Sequence, residues 1–257
     1  MKSFSNLTEH ASLRFLCLSL ILFAYPRSLW AQDESPATRD EPQSEIHQVG
    51  GVAVVVPTPW QDMVELGADR RGFMDQFVPP TNRLIAGFVN ADDASKVGSG
   101  VVKAPPRIAM MSVSREYEST EIREDGFKMI VDNVRKQFDV TAEGYANENE
   151  EEFNRRMTAL NLDNIKITVD KPISLGCLFS TPNSAGFGTI LQVSATNSEE
   201  KPTKDHSMQK SLSVLFVRVK NRVLFGYIFA DYEGPETVKW LRRVSQDWSE
   251  AILAANQ

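Results

Sequence analysis

Residues 211–254, SLSVLFVRVKNRVLFGYIFADYEGPETVKWLRRVSQDWSEAILA, constrain the fold more than any other stretch. Two apolar, β-branched and aromatic runs flank Lys220-Asn221, the pattern of two strands closed by a tight hairpin. Gly234 then sits at a cap position and Pro235 at the first position of a helix, where its fixed φ and missing N–H cost nothing. Leu241, Val244, Trp248 and Ile252 follow at spacings of three and four, with Trp240 beside them, so one face of this helix must pack on the hairpin. Burial of both tryptophans is worth several kcal/mol. The stretch contains no catalytic motif. It reads as scaffold.

The N-terminal end is of another kind. MKSFSNLTEHASLR is a polar leader with Lys2 and Arg14, and Phe15–Tyr25 is an apolar run of 11 residues ended by Pro26. Roughly 20 apolar residues are needed to span a bilayer core, so the run is too short for that and fits the core of a secretory signal peptide. Ala31 supplies a small residue before a cleavage point, which makes residues 1–31 the signal peptide. An uncleaved signal anchor is the competing reading, because Leu29 is bulky at the third position before the cut. Cys17 follows bulky Phe15 and Leu16, unlike a lipoprotein acylation site. Residues 32–48 are polar, acidic and proline-containing and read as a flexible tether. Residues 49–257 then form a single α+β domain, exported to the periplasm or beyond after cleavage near Ala31. No second long apolar segment follows, so no transmembrane segment is expected in the mature chain.

Cleavage removes Lys2, Arg14 and Arg27 against one acid, Glu9, and takes the formal net charge from −6 to −8. An acidic chain without a long basic run is poorly suited to nucleic acid. One cysteine, Cys177, remains, so no internal disulfide framework supports the exported domain.

Along the domain, Val52–Val56 is a β-branched run stopped by Pro57 and Pro59, which marks a strand end or a sheet edge. Residues 64–77 fit either a broken helix or a covering loop. Arg83–Asn90 and Arg107–Ser114 are the second and third strands. Around Ser119 the period changes to 3.6: Ser119 or Thr120 can cap, and Phe127, Ile130, Val131, Val134 and Phe138 share one face of a helix over 122–138. A second helix is expected over 142–160, with the acidic run 147–152 on its solvated side. Strand signals follow in NIKITVDK, ISLGCLFS and GFGTILQVSA, with a turn at TPNSAG and a polar loop over 196–208 before the closing hairpin. About three strands, two helices, five strands and one helix indicate an α+β fold, mainly antiparallel β-sheet with helices packed on it.

With its VRVKNRVLFGYIFADY and WLRRVSQDW segments, this order resembles the PsbP and Mog-type α/β/α sandwich, and small exported bacterial proteins of that build. The resemblance covers roughly residues 49–254. It implies a fold and transfers no site residue, since members of that fold group have unrelated roles.

The residues able to do chemistry are few. His47 ends the tether and His206 lies in a polar loop, two unrelated and exposed positions without the further ligands a zinc site needs. Ser99 in VGSG and Ser184 in NSAGFG lack the strand–elbow–helix setting of a serine nucleophile. Cys177, between Leu175-Gly176 and Leu178-Phe179, reads as a buried strand position rather than an activated thiol. Neither VGSG nor GFG is a phosphate loop, and no cofactor is implied. Basic residues cluster at Arg70-Arg71 and at Lys239–Arg243, where Arg242 and Arg243 offer an outward surface to an acidic partner. Two functional readings remain. One is a non-catalytic cell-envelope binding or accessory module with a protein or small-molecule partner. The other is an exported hydrolase whose carboxylates the sequence does not bring together.

Overall fold

A computed structural model describes residues 46–75, 78, 81–95, 97, 105–140, 165–170, 172–197 and 206–257. The first strands are β1 (Ile46–Val49), β2 (Val52–Val55) and β3 (Met63–Glu65), followed by helix α1 (Ala68–Asp75) and strand β4 (Asn82–Asn90). A single turn α2 (Ala91–Ala94), strand β5 (Arg107–Ser114) and helix α3 (Glu124–Val140) come next. Strands β6 (Ile165–Val169), β7 (Ile173–Ser180), β8 (Ser184–Asn197), β9 (His206–Val219) and β10 (Arg222–Asp231) precede the last helix, α4 (Pro235–Ala255). The fold is α+β, mainly antiparallel sheet with helices packed on it.

Strands β1 and β2 pair only with each other, while the other eight form one sheet in the order β3-β4-β5-β10-β9-β8-β6. Strand β7 joins the same edge of β8 as β6, at the other end: Ile173–Ser180 face 185–190, and Ile165–Val169 face 193–197. Every pairing is antiparallel. The expected hairpin is the centre of this sheet, running without a slip from Arg222↔Val219 to Asp231↔Lys210. Its turn residues Lys220 and Asn221 both have left-handed φ, 47° and 60°, the backbone a two-residue hairpin needs to match strand twist.

Both faces of the sheet are covered, which explains why β5 and β10 read as nearly continuous apolar runs instead of alternating ones. On the first face Ile108, Met110, Phe187, Phe216 and Phe229 pack with the predicted stripe of α3, Phe127 through Phe138, and with Met74 of α1. On the second, Ala109, Met111, Leu215 and Ile228 meet Leu241, Val244, Trp248 and Ile252 of α4, together with Val49, Val54 and Val56 from the N-terminal hairpin. Trp248 is fully buried, edge-on to Phe88 at 5.9 Å, and its Nε1–H donates to Pro57 O at 2.8 Å. Helix α4 also buries two serines, and Ser245 hydrogen-bonds Ser213 of β9 at 2.8 Å.

Several expectations change. Residues 46–48, expected in the tether, belong to strand β1, which pairs with β2 over its whole length. Helix α3 starts two residues later than expected, at Glu124, and the Ile122 N–H just before it donates to Asn221 O at 2.9 Å. The ambiguous stretch over 64–77 resolves into the edge strand β3 and helix α1. The polar loop expected over 196–208 is shortened at both ends by β8 and β9. The helix expected over 142–160 lies outside the described residues.

Candidate functional site

The N-terminal hairpin lies against the second face beside α4, tied to it chiefly through side chains. Its turn, Gly50-Gly51, has left-handed φ of 54° and 79°. A Cβ at Gly50 would collide with the carbonyl oxygen of Glu118. The Gly50 N–H donates to the Glu118 carboxylate at 3.2 Å, and Arg83 binds that carboxylate through Nε at 3.2 Å and Nη2 at 2.5 Å. Three cations donate to hairpin carbonyls: Arg83 to Gln48 at 2.8 Å, Arg222 to Gly50 at 3.4 Å and Lys220 to Ala53 at 2.9 Å. Asn256 completes the edge of β2 by accepting from Val55 N at 2.9 Å and donating to Val55 O at 2.7 Å. The Arg83 guanidinium holds the Glu118 carboxyl below the usual carboxylate range, against a smaller opposing effect of burial.

This docking corrects the reading of His47, which is only 7% exposed. It points to the same side of β1 as Val49, and its Nε2 lies 3.7 Å from the Glu65 carboxylate. Arg71 of α1 binds the same carboxylate oxygen at 3.2 Å. A histidine from β1 thus meets a carboxylate and an arginine from the successive elements β3 and α1 at the β3 edge of the sheet. Among the described residues, no group of three or more His, Cys, Asp or Glu is placed to hold a metal ion.

The other singled-out residues take structural places. Ser184 is buried, with its hydroxyl 2.8 Å from Thr181 Oγ1 in the β7–β8 turn. Cys177 is half-buried rather than buried: β7 carries two register shifts at the sheet edge, and the thiol donates to Phe179 O at 3.3 Å, with Arg135 Nη2 3.8 Å away. Arg70 donates to Ala94 O at 2.6 Å. His206 starts β9 opposite Ala195, within a strand where a loop was expected. Ser99 lies outside the described residues. In the core, Tyr227 accepts a hydrogen bond from Asn82 at 3.4 Å, and its phenol is pushed up to about 12, first by burial.

Arg242 and Arg243 are exposed on α4, as expected, but they do not form one surface. Successive residues diverge by about 100° around a helix. Arg243 falls one turn from Trp240, while Arg242 lies around the helix from it. Trp240, one turn before Arg243, belongs to a cluster the sequence did not single out. Trp60 and Trp240, both half-buried, meet edge to face at 5.3 Å and 78°, and the Arg107 guanidinium lies 4.6 Å from the Trp240 ring centre.

Local chemistry positions each member. Buried Pro59 ends the run out of β2, and Trp60 O accepts from Met63 N at 3.1 Å in the turn into β3. Gly234, with φ 130°, and Pro235 start α4, and the Thr237 hydroxyl accepts from Glu233 N at 3.1 Å, which places Trp240 in the second turn. Arg107 opens β5 opposite Ala230, on the same side of the strand as Ala109. A Pro-Trp pair after a strand and an arginine at a strand start were visible signals. Nothing local linked them.

No helix among the described residues is long and apolar enough to cross a membrane. No known protein-family pattern matches the chain, and no curated protein matches it. Among solved structures, the Saccharomyces cerevisiae Ran-binding protein Mog1p aligns over 84% of this chain and 91% of its own, at 12% identity and a TM-score of 0.25. At that score the likeness decides nothing about this chain, and the fold rests on the strand order and registers above.

Proposed function

We propose that this protein is an exported, non-catalytic binding or accessory module of the cell envelope. The observation behind this reading is the surface cluster of Trp60, Trp240 and Arg107 with Arg243 one turn along α4. Tryptophan and arginine are the side chains most enriched where protein interfaces concentrate their binding energy. Indoles held edge to face and backed by the core lose little conformational freedom on binding. Export rests on the polar leader, the 11-residue apolar run and Ala31. The PsbP/Mog-type sandwich is part of the same reading and rests on element order and on helices covering both sheet faces.

Two measurements test it. N-terminal sequencing of the mature protein should begin just after Ala31; a chain retaining Met1 would remove the cleaved-export part. A photo-crosslinking residue in place of Trp240, in intact cells, should give a discrete protein adduct, and the same residue in place of Glu250 should give none. A solitary monomer from crosslinkers placed around the whole surface would count decisively against a binding module.

A further inference from the structure

We infer that the surface formed by Trp60, Trp240, Arg107 and Arg243 docks an acidic segment of a partner protein, an inference that rests on the binding-module reading above. The first argument is charge. Arg71, Arg83, Arg135 and Arg218 all lie within 4 Å of a carboxylate. Arg107 and Arg243, like Arg115, Arg123, Arg222 and Arg242, have no carboxylate partner among the described residues, in a chain of formal net charge −6, and of these Arg107 is the one that lies over an indole. The acids nearest in sequence on α4 do not supply one: Glu236 is held by Lys239 at 2.6 Å, and Asp247, one turn beyond Arg243, forms no ion pair with it. Both arginines are exposed and able to accept carboxylates from outside.

The second argument is geometry. Arg107 stacked on the Trp240 ring is preorganised, and its planar fork keeps N–H edges for a bidentate carboxylate. Trp60, perpendicular to Trp240, offers apolar surface beside that fork. The complement is an extended chain with acidic side chains flanking one apolar side chain. A lipid surface fits less well. Neither indole projects from the protein, and among the described residues the large apolar side chains that do, Ile46, Met129 and Ile173, lie on other elements.

Indole NMR on the intact mature chain provides the test, because Trp248 is buried and hydrogen-bonded to Pro57 and serves as an internal control. The probe is a synthetic peptide alternating Glu and Asp around a single central Leu. Its control carries Lys in place of every acid. The acidic peptide should move the Nε1–H signals of Trp60 and Trp240 and leave that of Trp248 in place. Arg107→Gln with Arg243→Gln should weaken binding by about tenfold or more, while an unmoved Trp248 signal reports an intact fold. Immobile Trp60 and Trp240 signals, or equal responses to the acidic and basic peptides, would overturn the inference. Phosphatidylglycerol vesicles that move both indoles where the peptide does not would overturn it in favour of a membrane surface. Crosslinking that captures a partner on another face, with these indoles unmoved, would sink the inference and leave the binding-module reading standing.

Discussion

Among the described residues, two hairpins turn through left-handed residues and are stabilised in opposite ways. The β9–β10 hairpin sits mid-sheet, with β8 on one side and β5 on the other, so backbone hydrogen bonds run along both outer edges. Among the described residues, the β1–β2 hairpin has no strand beside it. Its outer backbone groups are instead met by Lys220, Arg83, Arg222 and Asn256, and its apolar side rests on α4 and the sheet. An embedded hairpin is specified by its own pattern of apolar residues and turn. A docked one depends on side chains from far along the chain, and the bond between Val55 and Asn256 spans 201 residues.

The largest effect should come from removing the centre of the docked hairpin's contact. Trp248→Ala loses a buried indole and the bond to Pro57, and should cost about 3–5 kcal/mol in urea unfolding. Unchanged stability would show that α4 does not pack as described. An alkaline titration probes the embedded hairpin through Tyr227. Its folded value near 12 lies above the ordinary 10.0, so its contribution is intact below pH 10 and is lost as pH rises toward 12. The loss should be on the order of 2–3 kcal/mol. Tyr227→Phe should flatten that part of the pH–stability curve, and a parallel curve would contradict the burial of the phenol.

Asn256→Ala leaves Val55 N and O without their side-chain partner and should cost about 1–3 kcal/mol. Amide exchange should quicken in β1–β2 while β9–β10 changes only with global stability; equal quickening would erase the distinction between the hairpins. The smallest effect belongs to Glu118. Its carboxyl is held below the ordinary value of 4.5, chiefly by Arg83, so the stability it contributes is present above pH 4.5 and lost as pH falls through the folded value. Glu118→Gln should therefore have a shallower acid limb than the parent. Identical limbs would mean that the Arg83–Glu118 contact contributes nothing to docking.

These contrasts also explain what could be read in advance. The Lys220-Asn221 turn, the Gly234-Pro235 helix start, the apolar stripe of α3 and the burial of Trp248 all follow from periodicities and turn chemistry within a few residues. His47 is buried although the stretch before it is polar and acidic, because its environment is made by Glu65 and the sheet. Cys177 was placed too deep because apolar neighbours do not reveal a bulged edge strand. Adjacent Arg242 and Arg243 suggest one surface, but the helix turns the two apart, and the cluster one turn from Arg243 arises from Trp60 and Trp240 meeting across 180 positions.

The sequence by itself determined the elements that a local pattern can specify: the central hairpin, two amphipathic helices and the antiparallel α+β class. Only the tertiary structure decided that the β1–β2 hairpin, Ile46 to Val55, docks beside α4, that both sheet faces are covered, and that Trp60, Trp240 and Arg107 converge. Local patterns select the conformation and buried face of each segment. Which distant segment covers that face, and which polar groups are brought together as it does, is fixed by long-range packing and by the need to satisfy backbone groups at unpaired edges.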